Sequence, residues 1–286
     1  MTTPARRNFE RKTAKAAAAV TDPGTVVIGG DYERMLVRLR TDLLRLKQIE
    51  SVEHKAVVKR ELLPEYAPWV DGVLAADSGA IDEILPNVMV WRIDSGDFEG
   101  ALDIGDYVLR HGLQMPDRYN RGAAVVLAEE IAEQAIKAIK AGQPVQVAML
   151  ARTIDLTATR DMPDEVRSKI YKATGWALQV DLVEEGEGLI NSVERAMAAR
   201  SLLERAGQLH KKAGVVRDTE ILARYLKKHS AVVDEITARN SAMVAAAAAL
   251  TGAPDTTGSE ESGAKGTLGA EGAAPKATDD TTPPAA

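Results

Sequence analysis

The chain reads as all-α: stacked helical hairpins with TPR-like (tetratricopeptide) elements, set between a disordered N-terminal arm and a disordered C-terminal tail. Three observations predict this. Apolar residues recur at helical spacing from about residue 32 to residue 228. No stretch alternates apolar and polar residues with β-branched enrichment for long enough to make a sheet. Glycines fall where the apolar periods end, at Gly79, Gly96, Gly112, Gly142 and Gly214. Aromatic residues are 4% of the chain, so Trp69 and Trp91 mark the main core, because each buries more area than any aliphatic neighbour.

Taken in order, residues 1–30 carry Arg6, Arg7, Arg11, Lys12 and Lys15 ahead of an alanine run, and Asp22-Pro23-Gly24 and Gly29-Gly30 then break any helix. They are expected to form a basic flexible arm. Asp31 is an N-cap residue for a helix over 32–49, which gathers Leu36, Leu39, Leu43 and Leu46 on one side and Arg34, Arg38 and Arg45 on the other. A helix over 52–62 adds Lys55, Lys59 and Arg60, and Pro64 is expected to restart the chain at a helix N1 position. Residues 31–62 are thus the candidate DNA-binding helices, loosely helix-turn-helix in order. Further helices are expected over 64–76, 80–94, 97–111, 120–141, 145–158, 163–185, 188–212 and 216–228, with Gly175 marking a break inside one of them. In the expected domain plan, 63–229 holds hairpins and oligomerisation surfaces within a 31–229 core. Residues 230–250 add a C-terminal helix, and 251–286 form an acidic disordered tail with Leu268 as its one large apolar residue. The string Gly96-Asp97-Phe98-Glu99-Gly100-Ala101-Leu102 matches the inter-helix half of a tetratricopeptide unit, although Gly105 stands where that repeat has an aromatic residue.

Charge is polarised. Residues 1–60 hold thirteen basic and seven acidic side chains, a net +6. Residues 61–229 hold 20 and 27, a net −7, and residues 230–286 hold 3 and 8, a net −5. A basic front suggests an anionic partner there, and the acidic middle is expected to repel DNA. The chain has no cysteine, which removes disulfides, thiolate zinc sites and a cysteine nucleophile and fits a reducing cytoplasm. The apolar run 242–250 is too short to span a bilayer, and 16–20 is too short for a signal h-region, so a soluble intracellular protein is expected.

No P-loop pattern is present, and His54, His111, His210 and His229 are scattered without ligand spacing. No cofactor is expected unless the chain is a nuclease, whose Mg²⁺ would need converging carboxylates. Glu99, Asp103 and Asp106 share a helix face at i, i+4 and i+7 and are the candidates. The alternative reading of the same residues is a solvated acidic stripe or a patch for a basic partner.

Several strings together resemble the small terminase subunit of P2-like tailed bacteriophages, the M-protein family. They are Tyr32-Glu33-Arg34-Met35-Leu36-Val37, Lys59-Arg60-Glu61-Leu62-Leu63-Pro64, Pro68-Trp69-Val70, Gly72-Val73-Leu74, Trp91-Arg92, Asp94-Ser95-Gly96-Asp97, Gly100-Ala101-Leu102 and the run from Leu156 to Arg167. The resemblance implies a subunit in the host bacterial cytoplasm that binds viral double-stranded DNA at the cohesive-end site, assembles as a homo-oligomeric ring and delivers DNA to the ATPase large subunit. The family is commonly labelled the terminase endonuclease subunit. A metal-dependent endonuclease that itself cleaves the end site, and a protein-only TPR-like scaffold, are the alternatives. Members tend to finish in a basic tail. This acidic one moves the expected DNA contact to Arg6, Arg7, Arg11, Lys12, Lys15, Arg34, Arg38, Arg45, Lys55, Lys59 and Arg60.

Overall fold

The structure is a computed structural model that describes residues 3–116 and 119–251, the last four as backbone alone. It divides into one unit, Met1–Arg239, and a second from Asn240 onward. Eleven α-helices occupy the described residues: α1 Pro4–Ala19, α2 Gly30–Lys47, α3 Val52–Ala76, α4 Ile84–Ser95, α5 Phe98–His111, α6 Ala123–Lys140, α7 Val147–Thr157, α8 Asp164–Leu178, α9 Leu189–Leu209, α10 Val216–Lys228 and α11 Ser230–Thr251. Among the described residues there is no strand, only an isolated parallel bridge between Val26 and Ile81. None of their helices is long and apolar enough to cross a membrane. Of the second unit, the described part is the remainder of α11, whose Met243 and Val244 are 64% and 70% exposed. The acidic tail 252–286 lies outside the described residues.

The first unit is built around α4. Its residues Ile84, Leu85, Val88, Met89, Trp91 and Ile93 are all buried, and so are Pro86, Asn87 and Ser95 on its other sides. A helix apolar all round must be enclosed by other elements, and α3, α5 and α6 supply most of that enclosure. Tyr66 of α3 meets Trp91 edge to face at 5.4 Å, and Tyr32 of α2 stacks on Trp69 of α3 at 5.7 Å. These two aromatic pairs lock α2, α3 and α4 together. A second apolar cluster joins α9 and α10 through Val193, Leu203, Leu222 and Leu226, with Ile236 of α11.

The ends of α4 are satisfied inside the protein. Asp82 is buried and accepts from the Ile84 and Leu85 amides at 2.6 and 3.1 Å and from the Trp69 indole N–H at 2.7 Å. The neighbouring Glu83 amide donates to the Tyr32 hydroxyl at 3.1 Å. At the other end Gly96 takes φ 83, a left-handed C-cap that glycine adopts without strain, and Asp97 caps α5 by accepting from the Gly100 amide at 3.1 Å.

Three expectations are corrected. The residues read as a flexible basic arm form α1 over Pro4–Ala19, with Thr3 as N-cap accepting from the Arg6 amide at 3.3 Å. The cause is the alanine run itself: Ala14 and Ala18, one turn apart, are fully buried against α3. Alanine there combines high helix propensity with room for backbone approach. Next, Pro64 does not restart the chain, because α3 is one helix of 25 residues with Pro64 and Pro68 inside it. Each interior proline costs about 3 kcal/mol, and burial of Tyr66, Pro68, Trp69 and Val70 on its neighbours offsets that. Lastly, Gly175 does not break α8. A Cβ there would lie 2.6 Å from Leu203 Cγ, so the glycine lets α9 pack directly on α8. The turn that suggested a tetratricopeptide unit is the α4–α5 corner, and α4 is enclosed on every side, which the open stacking of such repeats does not require.

Gly72 governs the docking of α1. A Cβ added there would lie 2.5 Å from the Arg11 carbonyl oxygen and 2.6 Å from Ala14 Cβ. Gly72→Ala should therefore push α1 off α3 at a cost of about 1–3 kcal/mol, roughly 2–4 °C of melting temperature per kcal/mol. Trypsin should then cut first among Arg6, Arg7, Arg11, Lys12 and Lys15. Wild-type melting and digestion would show that the contact tolerates a methyl group.

Burial pushes the Asp82 carboxyl up to about 6, against the three donors that favour its ionised form. A carboxyl raised in the fold above its ordinary 3.8 contributes stability that is complete below about pH 4 and is lost as pH rises towards 6. Asp82→Asn removes that titration. The stability difference between wild type and variant, followed by thermal denaturation across pH 4 to 7, should change in favour of the variant as pH rises; a difference independent of pH would mean Asp82 titrates as an ordinary carboxyl.

Candidate nucleic-acid interface

Docking of α1 fixes the basic residues that precede the alanine run. Arg7 and Arg11, one turn apart, border a shallow recess with Pro64, Ala67, Pro68 and Asp71 of α3. Arg11 donates to Asn8 Oδ1 at 3.3 Å, and Arg7, Lys12 and Lys15 are exposed, with no carboxylate within ion-pair distance among the described residues. The amphipathic period that buried Ala14 and Ala18 therefore leaves four cations in water along one short helix.

Arg6 lies elsewhere. It lines a groove of about 370 Å³ between α1 and α2, with Phe9, Arg34, Arg38 and Trp69. Each arginine of this groove has an acidic partner: Arg6 with Glu10 at 2.8 Å, Arg34 with Asp31, and Arg38 with Glu65 at 3.2 Å. Two arginines of the α2 stripe are thus paired, Arg34 with Asp31 one turn back on its own helix and Arg38 with Glu65 of α3, which helical periodicity alone does not bring beside it. Among the described residues Arg45 and Lys55 have no carboxylate at ion-pair distance, and neither do Arg40 and Lys47 of α2, which lie off the stripe.

Lys59 and Arg60 are occupied within the fold. Lys59 pairs with Asp94, and Arg60 Nη2 donates to the Ser95 carbonyl at 3.0 Å, so both tie α3 to the C-terminal end of α4.

The acidic candidates are held by arginines. Arg152 of α7 bridges Glu99 at 3.1 Å and Asp103 at 2.7 Å, and Arg110 takes Asp106 at 3.1 Å and Asp77 at 2.6 Å. His111 and then Arg110 hold the Asp77 carboxyl below its ordinary range. Glu99 and Asp103 are thus joined by a guanidinium in exposed ion pairs. Among the described residues no group of three or more His, Cys, Asp or Glu is placed to hold a metal ion.

A second positive surface lies inside the acidic middle. Lys137 and Lys140 of α6 face Lys169 and Lys172 of α8 across a cleft of about 480 Å³, which Lys212 and His210 close from the loop after α9. The i, i+3 spacing on each helix was available to a sequence reading, but not the pairing of the two helices.

A family model for the phage small terminase subunit matches residues 36–165. The terminase endonuclease subunit of Escherichia phage P2 is 45% identical over 231 residues, which cover 79% of this chain and 87% of that protein. The probable terminase endonuclease subunit of Haemophilus phage HP1 (strain HP1c1) is 26% identical over 224 residues, 73% of this chain and 78% of that protein. No solved structure matches the chain. With so much of both sequences aligned at that identity, the chain belongs to the phage small terminase subunit family.

Proposed function

We propose that the chain acts in packaging of a phage genome in the bacterial cytoplasm: it binds viral double-stranded DNA at the cohesive-end site and hands it to the ATPase large subunit. The observation that carries the DNA reading is the docked α1 helix, which presents Arg7, Arg11, Lys12 and Lys15 to solvent without ion-pair partners. Four cations on one rigid helix lose less entropy on meeting a phosphate backbone than four on a mobile arm, and they supply the sequence-independent part of DNA affinity. Arg45 and Lys55 extend the positive surface to α2 and α3. The groove arginines Arg6, Arg34 and Arg38 contribute only by exchanging a carboxylate for a phosphate.

Both relatives carry endonuclease names, which keeps cleavage as the second reading. The geometry favours the adaptor, because the acidic stripe of α5 is bridged by Arg152 and Arg110. Incubation with Mg²⁺ and a plasmid carrying the phage's own end site separates the two. Binding without nicking supports the adaptor, and nicking lost in Asp103→Ala supports the nuclease.

Replacing Arg7, Arg11, Lys12 and Lys15 together with alanine should weaken binding to any duplex. If all four contact phosphates, the slope of log affinity against log salt should flatten by roughly 4, since each contact contributes about 0.9. Circular dichroism should be unchanged, because alanine is the stronger helix former. Unaltered affinity and slope would move the DNA site off α1.

We infer also that the subunit is a homo-oligomer, closed as a ring. Val37 and Leu44, seven residues apart on α2, are 62% and 64% exposed, and α11 leaves Met243 and Val244 in water. Apolar side chains at such spacings bury on self-association, and closed symmetry avoids filaments. Light scattering should report a discrete oligomer at micromolar concentration, and Val37→Asp with Leu44→Asp should shift it towards monomer. A wild-type protein that stays monomeric at that concentration would refute the ring.

A further inference from the structure

The lysine cleft between α6 and α8 is absorbed by neither the fold nor the proposed DNA surface. Its lining holds five lysines, Lys137, Lys140, Lys169, Lys172 and Lys212, against two carboxylates, Glu133 and Glu165. Lys169 is committed to Glu129 at 3.0 Å and Glu133 at 2.6 Å. Among the described residues the other four lysines have no carboxylate within ion-pair distance.

Two of those four share one support. Lys172 Nζ sits 4.4 Å from the centre of the Trp176 ring and Lys140 Nζ 6.0 Å from it, so two ammonium groups face one indole. The indole attracts each of them, and Asp218, which accepts from the Trp176 N–H at 2.9 Å and keeps its negative charge, offsets only part of their mutual repulsion. Burial and then the charge of Lys140 hold the Lys172 ammonium below its ordinary pKa. One of its three N–H bonds goes to the Ala213 carbonyl, which leaves two for a ligand.

We propose that this cleft binds phosphoryl groups, with Lys137, Lys140, Lys172 and Lys212 as their donors. The charge and the donor type both select that chemistry. Even with Glu129 and Asp218 counted beside the two carboxylates of the lining, the five lysines leave the cleft net positive, which suits an anion. The lining offers ammonium groups, which meet phosphate oxygens as point charges. The phosphoryl oxygens come either from a nucleic-acid backbone crossing the cleft or from a free nucleotide seated in it.

The test is isothermal titration calorimetry on the full chain with three probes: inorganic pyrophosphate, ATP and a short duplex of arbitrary sequence. The variants are Lys137→Gln with Lys140→Gln, neither of whose side chains forms a hydrogen bond among the described residues, and separately Lys172→Met, which also gives up the bond to Ala213. Lys12→Gln with Lys15→Gln is the control on α1. Whichever probe binds should bind the cleft variants at least about tenfold more weakly, a loss of roughly 1.4 kcal/mol, and pyrophosphate binding should not respond to the α1 control. Loss confined to the duplex assigns the cleft to a nucleic-acid backbone. Loss of ATP and pyrophosphate binding assigns it to a free nucleotide. Folded Lys137→Gln/Lys140→Gln protein that binds all three probes as wild type does, or wild type that binds none, would overturn the site. This outcome is independent of α1, because a failure there changes only the control.

Discussion

The first unit depends on keeping a helix dry at both ends. Because α4 is enclosed on every side, its first amides and last carbonyls cannot rely on water, and an unpaired buried group costs about 1–3 kcal/mol. Asp82 meets this demand at one end and at the same time receives the Trp69 indole N–H, so capping α4 also positions α3. Tyr32 stacks on that indole and its hydroxyl accepts from the next amide, which brings in α2. At the other end Lys59 and Arg60 reach from α3 to Asp94 and the Ser95 carbonyl. Two basic residues that look like nucleic-acid contacts in the sequence are therefore fasteners of the core.

What could be read from the sequence follows from how local each signal is. The helices α4 to α7, α9 and α10 lie within a few residues of their expected positions, since glycine punctuation and apolar period are properties of neighbouring residues. The misses are all tertiary. Nothing in an alanine run states that α3 will present Gly72 to it, and nothing around Pro64 states that the half of α3 after it will be buried strongly enough to hold one helix together. Gly175 looked like a break because a mid-helix glycine is costly in isolation; beside Leu203 its missing side chain is what the packing needs.

The same distinction explains the charged sites. A count over residues 61–229 gives a net negative charge, and the expectation that this region repels DNA treated that sum as a surface. Folding redistributes it. Glu129 and Glu133 share Lys169, Glu99 and Asp103 share Arg152, and Asp77 and Asp106 share Arg110, so the negative excess gathers in these clusters while the other lysines of α6 and α8 face each other across one cleft. Glu99, Asp103 and Asp106 all lie on α5, but Arg152, 53 and 49 residues on in the chain, pairs with the first two, while Arg110 on α5 itself pairs with the third. Sequence spacing locates like charges on a helix and is blind to the counter-charge that another helix brings.

Pairing does not by itself remove an arginine from DNA recognition, and burial decides which pairs can open. Arg6 and Arg34 are 62% and 72% exposed as side chains, and an exposed pair is worth about 0–1 kcal/mol, so a phosphate can displace Glu10 or Asp31 at little cost. The released carboxylate returns to water. Lys59 is 17% exposed and Asp94 25%, so breaking that pair would strand a half-buried carboxylate as well as loosen α3 from α4. The basic residues of the front thus fall into three grades: the α1 cations with Arg45 and Lys55, ready to bind; the groove arginines, which exchange partners; and Lys59 and Arg60, which hold α3 on α4. A duplex approaching this face would engage them in that order, and the number of phosphates it neutralises would rise as the groove pairs open. Affinity at this surface is then set less by how many basic residues the sequence contains than by how few of them the fold has already committed.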